Sequence, residues 1–144
     1  MWIGSAALLL AAAIGLGLYA RIHNPARGLP YYARFAKGAE DRWTAYGGTW
    51  EVVNGSMRND SDDRGAKLLT GSQYWKDYSV EADVQLLGSG DAGLIARASD
   101  AEPGVDSYSG YYAGLRTMDN SLTLGRVQHG WEEYPAKALA GGVQ

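Results

Sequence analysis

Cysteine is absent from the 144 residues, so the sequence excludes disulfide bonds and thiolate metal sites. Phenylalanine is nearly absent, with one residue, whereas tyrosine occurs ten times and tryptophan five times. Twenty glycines accompany these rings. This composition is too apolar and aromatic for a disordered chain, and it is typical of strands joined by tight turns.

An excess of basic residues is also lacking from Trp43 onward, where eight basic residues stand against fourteen acidic ones. Because phosphate binding needs a basic face, this region excludes nucleic acid as a partner. The preceding residues 21–42 contain five basic and two acidic side chains. A basic stretch of this kind, placed after an apolar segment, is predicted to meet lipid headgroups.

Charged side chains are missing altogether from residues 1–20. The nineteen residues 2–20 are long enough to cross a hydrocarbon core of about 30 Å as a helix. Trp2 and Tyr19 stand near opposite ends of this run, where amphipathic rings favour the membrane interface. We therefore predict a transmembrane helix at 1–20 that contacts the lipid bilayer through residues 2–20, a basic juxtamembrane linker at 21–42 and one domain at 43–144.

Cleavage of this segment as a signal peptide is the alternative. It is disfavoured because no basic residue precedes the apolar run and because Leu18, Tyr19 and Ala20 make a poor cleavage site. Orientation rests on two opposed signals. The basic residues after the helix favour a cytoplasmic domain, whereas the chemistry of the domain favours the outside. The prediction is a single-pass membrane protein with an extracytoplasmic domain.

From Trp43 onward the sequence shows the period of two that is typical of strands. Asn54 and Gly55, between residues 49–53 and 56–59, predict a hairpin with a type I′ turn. Residues 78–87 alternate between apolar and polar side chains, and further strands are predicted at 92–99, 107–116 and 122–128. Short strands with Gly, Asn and Asp turns predict an all-β fold, an antiparallel jelly-roll sandwich.

Five segments in this order carry a resemblance to a known group of proteins. They are residues 47–55, 74–84, 90–97, 108–115 and 124–126, within a stretch that covers 43–134. The set resembles the concanavalin A-like lectin and glucanase jelly rolls, and within them the family 16 glycoside hydrolase-like or 3-keto-disaccharide hydrolase domains. Levan-type carbohydrate-binding modules look similar. Jelly rolls of this type contain more strands than are visible here, and residues 140–144 offer no final strand, so a C-terminally truncated domain is expected.

The resemblance implies catalytic candidates on residues 78–87. In true family 16 glycosidases, carboxylates alternate along one strand, and Glu81 and Asp83 match two of these positions. Glycoside hydrolysis requires two carboxyl groups across the bond. The third position is Gln85, which cannot exchange a proton at neutral pH. No catalytic residue is therefore assigned beyond the candidates Glu81 and Asp83, and the polar side of an ordinary amphipathic strand is the favoured explanation of the pattern.

Aromatic and arginine side chains supply a second candidate site, because rings bind the C–H faces of sugars and planar charged groups bind their hydroxyls. Alternation puts Tyr112 and Arg116 on one side of their strand and Tyr111 on the other. The predicted ligand-binding residues are Glu81, Asp83, Arg97, Tyr111, Tyr112, Arg116, Arg126 and Trp131. The open alternative is that the tyrosines lie in the core and the arginines form ion pairs with Glu81 and Asp83.

No cofactor is predicted. Asp60, Asp62 and Asp63 allow an irregular calcium site, but a solvated polar turn is the favoured interpretation. The function predicted is a membrane-anchored, lectin-like carbohydrate-binding module with a glycan or oligosaccharide as its partner. A glycoside or 3-keto-disaccharide hydrolase is the first alternative, and a structural or adhesion β-sandwich without a ligand is the second.

Overall fold

Strands and turns make up nearly all of the regular structure in the computed structural model, which describes residues 14–16, 28–36, 38, 42–135 and 137–138. The strands within these residues are β1 (Thr44–Tyr46), β2 (Trp50–Val53), β3 (Ser56–Asn59), β4 (Lys67–Leu69), β5 (Asp91–Ser99), β6 (Ser109–Arg116), β7 (Ser121–Gln128), β8 (Trp131–Glu133) and β9 (Lys137–Ala138). Each pairing between them is antiparallel. The predicted all-β class is confirmed, and the antiparallel sheets fit a jelly roll.

Strands β2 and β3 form the predicted hairpin. Asn54 has a φ of 51° and Gly55 a φ of 81°, the left-handed values that a type I′ turn requires at both central positions. The turn sets the register, in which Val53 faces Ser56 and Trp50 faces Asn59. The Asn59 side chain then accepts the backbone N–H of Thr49 at 2.9 Å, which closes the open end of the hairpin.

The main sheet has the order β5-β6-β7-β8, with β9 also paired to β7. Directly opposed residues of an antiparallel pair lie on the same side of a sheet, so the register defines two faces. The Tyr112 face carries Asp91, Gly93, Ile95, Tyr112, Gly114, Arg116, Ser121, Thr123, Gly125, Val127, Trp131 and Glu133. The leucine face carries Ala92, Leu94, Ala96, Tyr111, Ala113, Leu115, Leu122, Leu124, Arg126 and Glu132.

The burial of the two faces is the reverse of what their residue types suggest, because the face with the leucines is the more exposed one. Thr123 is 2% exposed and Val127 1% exposed on the Tyr112 face, whereas Leu122 and Leu124 are 38% and 45% exposed on the leucine face. Small residues become buried when large side chains lie over them. On the Tyr112 face those large side chains belong to the candidate functional site.

The predicted strand at 78–87 is not formed, because residues 79–86 pair with no strand among the described residues. Ala82 and Val84 instead line a small apolar pocket of about 250 Å³ together with Leu94, Leu115 and other residues of the leucine face. The segment thus lies over that face as part of a second layer. Glu81 and Asp83 are exposed.

Lys67 connects β4 to the loop before β6. Its ammonium donates to the carbonyls of Gly65 at 2.9 Å and Gly104 at 2.6 Å, and it lies 5.6 Å from the centre of the Tyr108 ring. Lys67 is 4% exposed and Tyr108 5%. Burial lowers the pKa of Lys67, an effect that the charge of Asp106 partly offsets. This cluster forms one of the few buried centres in the described residues.

The predicted transmembrane helix lies outside the described residues except for 14–16, which are helical. Within the ranges that the structure describes, no helix has the length and apolar character needed to cross a membrane. The C-terminal residues 139–144, which bear on the predicted truncation, also lie outside the described residues.

Candidate functional site

Two aromatic rings lie over glycines at the centre of the Tyr112 face. A Cβ atom at Gly114 would collide with the Tyr112 hydroxyl, and one at Gly125 would collide with the Trp131 ring. The ring centres of Tyr112 and Trp131 are 6.0 Å apart, with their planes at 74°. This edge-to-face arrangement is the one that aromatic quadrupoles favour. Because only glycine leaves room beneath the rings, the sequence of β6 and β7 holds them close to the sheet.

A charged network borders the rings. Arg116 donates to both carboxylate oxygens of Asp119, from Nε at 3.0 Å and from Nη2 at 2.8 Å. Two parallel bonds of this kind fix the plane of the guanidinium. The hydrogen bond from Arg116, with a second from Ser121, lowers the pKa of Asp119 to about 2. The same bond with Asp119 raises the pKa of Arg116 above its ordinary value. Arg116 is therefore a fixed cation at one edge of the rings.

Glu133 lies between this cation and the Trp131 ring. Its Oε1 accepts from Arg116 Nη2 at 3.4 Å and from the Thr123 hydroxyl at 3.3 Å, and its Oε2 accepts from Trp131 Nε1 at 3.5 Å. These bonds are long, so they hold the carboxylate in place without using its full capacity as an acceptor. Its side chain is 35% exposed. Glu133 can therefore accept hydrogen bonds from a ligand on this face.

The Tyr112 hydroxyl is a neutral donor in this setting. Burial, and after it the negative charge of Asp91, raises the pKa of Tyr112 to about 12. The phenol therefore keeps its proton throughout the physiological range. The Tyr112 face thus offers two rings, a phenol donor, a guanidinium donor and a carboxylate acceptor within one patch.

A cleft of about 810 Å³ continues this face beyond Ile95 of β5. Its walls include Tyr46 of β1, Leu69 of β4, and Trp75 and Tyr78 of the segment after β4. Ile95 belongs to both regions, because it pairs directly with Tyr112 and also lines the cleft. The cleft and the rings therefore share one side of the sheet.

Arg97 lies in this cleft. Its backbone N–H donates to the Tyr78 hydroxyl at 2.7 Å, and its Nη2 donates to the Lys76 carbonyl at 3.3 Å. Asp77, whose side chain is 99% exposed, lies 3.6 Å from the same nitrogen. An exposed pair at this distance contributes little to stability. The Arg97 side chain is 58% exposed and lines the cleft.

Three of the residues predicted from the sequence meet at the rings: Tyr112, Arg116 and Trp131. Arg97 borders them from the cleft. Tyr111 and Arg126 lie on the leucine face, where Arg126 pairs with Glu132 at 2.8 Å. Glu81 and Asp83 are exposed on the segment that covers that same face.

The ion pairs that the sequence allowed between the arginines and Glu81 or Asp83 are not formed. The partners of the arginines are Asp77 for Arg97, Asp119 and Glu133 for Arg116, and Glu132 for Arg126. Sequence reasoning did not assign Glu133, Asp119 and Thr123 to the site. The alternation of Trp131 and Glu133 at i and i+2 on a short strand was the available signal for Glu133.

Two aspartates of the acidic loop after β3, Asp60 and Asp63, accept hydrogen bonds from within the protein. One Asp63 oxygen accepts the Gly48 N–H at 2.9 Å, and Asp60 accepts from Arg58 at 2.6 Å. Among the described residues there is no group of three or more His, Cys, Asp or Glu side chains that could hold a metal ion. The structure therefore gives the calcium interpretation of this loop no support.

The family model of the 3-keto-alpha-glucoside-1,2-lyase-like domain matches residues 36–138, well over half of the chain. The match spans the strands from β1 to β9, and so includes the Tyr112 face and the cleft. No curated protein and no solved structure matches the chain.

Proposed function

The chain belongs to the family of 3-keto-alpha-glucoside-1,2-lyase-like domains, and from this membership we propose that it binds a glycoside on the Tyr112 face. The resemblance predicted from the sequence is thereby confirmed at the level of the family. Membership supports a carbohydrate-binding or glycoside-hydrolase-like function.

One observation carries the choice of site: Tyr112 and Trp131 lie over glycines directly beside the Arg116–Glu133 pair. Sugar rings present C–H groups on their faces and hydroxyls around their edge. A ring of Tyr or Trp suits the first, and a fixed guanidinium and carboxylate suit the second. The leucine face offers one ring, Tyr111, and several leucines, but its charged pair, Arg126 and Glu132, stands at the edge of a largely apolar surface.

Cleavage of the bound sugar is the second candidate, and the position of Glu133 favours it. The family name specifies a 3-keto glycoside and a 1,2-lyase. A ketone at C3 acidifies the proton on C2. If Glu133 takes that proton, the C–H electrons form the C1–C2 double bond, and the C1–O bond breaks with its electrons leaving on the aglycone oxygen, which then takes up a proton.

Such an elimination needs one general base instead of two opposed carboxyl groups. Gln85, which removes the acid/base of a family 16 glycosidase, is therefore no obstacle to it. Arg116, 3.4 Å from Glu133, would stabilise negative charge that develops on the sugar.

Two pairs of neighbouring residues test both candidates, because each pair divides between the two faces. Tyr112→Ala should weaken binding of methyl 3-keto-α-glucoside about fivefold to tenfold by calorimetry, since it removes one ring contact. Tyr111→Ala, the matched control, should leave the affinity unchanged. Equal effects of the two substitutions would contradict the choice of the Tyr112 face.

Cleavage is tested in the same way with Glu133→Gln and its control Glu132→Gln. If the domain is a lyase, chromatography detects an unsaturated keto-sugar from the wild type and from Glu132→Gln, and none from Glu133→Gln. Saturable binding without any product would leave the domain a lectin-like module and reject the enzyme.

We further propose that residues 2–20 anchor this domain to a membrane and that the domain lies outside the cytoplasm. The support is the uncharged run in the sequence. To test the anchor, the protein expressed with its first 42 residues should remain in the membrane pellet after alkaline carbonate extraction. To test the orientation, protease added to intact cells or spheroplasts should digest the domain. Release by carbonate would reject the anchor, and protection from protease would reject the orientation.

A further inference from the structure

Two ring contacts fix the residues before the first strand to the domain. The Tyr31 ring centre lies 5.7 Å from that of Trp75, and the Phe35 ring centre lies 5.8 Å from that of Trp43. Pairs of aromatic rings at this distance attract each other beyond the area that they bury. Part of the segment predicted as a linker at 21–42 therefore packs against the folded domain.

Large exposed side chains stand next to the contact between Tyr31 and Trp75. Tyr32 is 79% exposed and Tyr74 is 76% exposed, and each is the chain neighbour of one of the two contacting rings. Leu29, two residues before Tyr31, is 48% exposed. Because the ring contact makes the two segments neighbours on the surface, we name Leu29, Tyr32 and Tyr74 the aromatic patch.

Basic side chains accompany the aromatic patch. Arg34 follows Tyr32 by two residues, Lys76 follows Tyr74 by two, and both are exposed. Within the ranges that the structure describes, the ion pairs include neither of them. The neighbouring carboxylate of Asp77 is directed to an arginine of the cleft instead, at 3.6 Å. Unpaired cations beside amphipathic rings are the side chains that favour the boundary between lipid headgroups and water.

The length of the chain keeps the aromatic patch close to the proposed anchor. Eight residues, 21–28, separate the uncharged run from Leu29. An extended chain spans at most about 3.5 Å per residue, so Leu29 lies within about 30 Å of the end of the anchor. A short tether of this kind gives the patch a high effective concentration at the bilayer surface. Contacts that would be weak between separate molecules can therefore hold the domain there.

The leucine face also exposes apolar side chains, but its charges suit a membrane less well. Its Arg126 is paired with Glu132 at 2.8 Å. The segment that covers part of this face exposes Glu81 and Asp83. Anionic headgroups attract cations and repel carboxylates. Charge therefore favours the aromatic patch over the leucine face as the side that meets lipid.

We propose that the aromatic patch is a second membrane contact, by which the folded domain lies against the bilayer surface. This inference rests on the proposed anchor at residues 2–20. Tyr32 and Tyr74 enter the interfacial layer, and Arg34 and Lys76 bind headgroup phosphates. Because Trp75 lines the cleft, the contact also holds that wall of the cleft near the membrane.

The absence of cysteine allows one nitroxide spin label to be attached at a chosen position of the full chain. The labelled variants Tyr32→Cys, Tyr74→Cys, Met118→Cys and Leu124→Cys are reconstituted in vesicles of phosphatidylcholine and phosphatidylglycerol. Collisions of each label with oxygen, which concentrates in lipid, are compared with collisions with a water-soluble nickel chelate. Labels at the two tyrosines should favour oxygen. Labels at Met118 and Leu124, which are exposed outside the patch, should favour nickel.

The contribution of charge is tested with the label at Tyr32. Lys76→Gln should lower the ratio of docked to free domain about fivefold, which is the effect of one basic residue near an anionic surface. Arg64→Gln, at an exposed arginine in the turn before β4, removes the same charge and should leave the ratio unchanged. Equal losses in the two variants would show that net charge, and not the patch, controls docking.

Hydrogen exchange on the unsubstituted full chain guards against effects of the labels. Exchange of residues 29–34 and 72–77 should be slower in vesicles with phosphatidylglycerol than in vesicles of phosphatidylcholine alone, whereas residues 117–120 should exchange equally in both. Preference for oxygen at Leu124, or for nickel at both tyrosines of a chain that carbonate does not release, would overturn the contact and leave the anchor in place. Release of the full chain by carbonate would reject the anchor and this contact with it.

Discussion

Small residues beneath large ones control the geometry of the site at the scale of single residues. Gly114 and Gly125 leave the space that the Tyr112 and Trp131 side chains occupy. At Gly114 an added methyl group must push the Tyr112 ring away from the sheet, and at Gly125 it would meet the backbone oxygen of Glu132 as well as the Trp131 ring. The aromatic surface thus depends on the two glycines that lie beneath the rings.

Gly114→Ala tests this dependence. The added methyl should displace Tyr112 and weaken sugar binding by about 1 kcal/mol, about fivefold in Kd, because the ring contact is lost. Gly88→Ala is the control, since nothing lies within 4 Å of a Cβ at that position. Calorimetric Kd values with thermal melts provide the measurement. An unchanged Kd for Gly114→Ala would mean that the position of Tyr112 is irrelevant to binding.

Asp119 makes the stability of the fold depend on pH in the acid range. Its pKa is lowered from 3.8 to about 2, chiefly by the hydrogen bond from Arg116. A carboxylate with a lowered folded-state pKa stabilises the fold above its unfolded pKa, and this contribution disappears as the pH falls from about 4 to about 2. Asp119→Asn should lose that part of the pH dependence of unfolding, measured by urea titrations at pH 5 and pH 2.5. Asp77→Asn should retain it, and a wild-type profile for Asp119→Asn would contradict the assignment.

Period two in the sequence was sufficient to separate Tyr112 and Arg116 from Tyr111, because neighbours on one strand must face opposite ways. The same alternation could not assign Glu133 and Asp119 to the site. Glu133 joins the site only through the pairing of β8 with β7, and Asp119 joins it through the turn between β6 and β7. Contacts between strands depend on register, which one sequence does not contain.

Turns determined which elements the sequence could predict. The β2–β3 hairpin formed where Asn54 and Gly55 require it, since few other pairs accept positive φ at both positions. Residues 78–87 have a cleaner alternation and form no strand. Alternation describes which side chains face a neighbouring layer, and Ala82 and Val84 do line a pocket with the leucine face. It does not supply a partner strand for the backbone.

Lys67 links β4 to the loop before β6, so replacing it should destabilise the contact between them. Lys67→Met leaves the carbonyls of Gly65 and Gly104 without their donor in a part-buried place. Hydrogen bonds to a charged group contribute roughly 1.5–3 kcal/mol each. Because water can reach the part-buried carbonyls in the variant and replace part of the two lost bonds, we expect a net loss of about 2 kcal/mol in the free energy of unfolding. Urea denaturation measures it, with the exposed Lys76→Met as control. A loss below about 0.5 kcal/mol would show that water replaces the ammonium at no cost.

Part of the leucine face remains exposed beside the segment that covers it, which matters at the scale of the whole molecule. Tyr111, Leu122 and Leu124 are 41%, 38% and 45% exposed. The two leucines stand two residues apart on β7, and Tyr111 on β6 faces Arg126, diagonal to Leu124. Contiguous apolar surface of this kind binds hydrophobic dyes and promotes association. The polar Tyr112 face lies on the opposite side of the same strands. The molecule therefore has two surfaces with distinct chemistry that one sheet keeps apart.

Replacing Leu122 and Leu124 by Gln should reduce the fluorescence of bound anilinonaphthalene sulfonate and reduce self-association in light scattering. Sugar affinity should not change, because these side chains are on the far side of the sheet from Tyr112. Leu87→Gln, at a separate exposed leucine, should leave dye binding nearly as it was. Unaltered dye fluorescence in the double variant would show that the leucine face is covered in solution.

Mapping the backbone amide shifts of the isotope-labelled protein during titration with a 3-keto-α-glucoside tests the central claim most directly. We predict that the perturbed signals cluster at Tyr112, Gly114, Thr123, Gly125, Trp131 and Glu133, and that the side-chain signals of Tyr111, Leu122 and Leu124 stay in place. Perturbations centred on the leucine face, or none at saturating sugar, would contradict a glycoside site on the Tyr112 face.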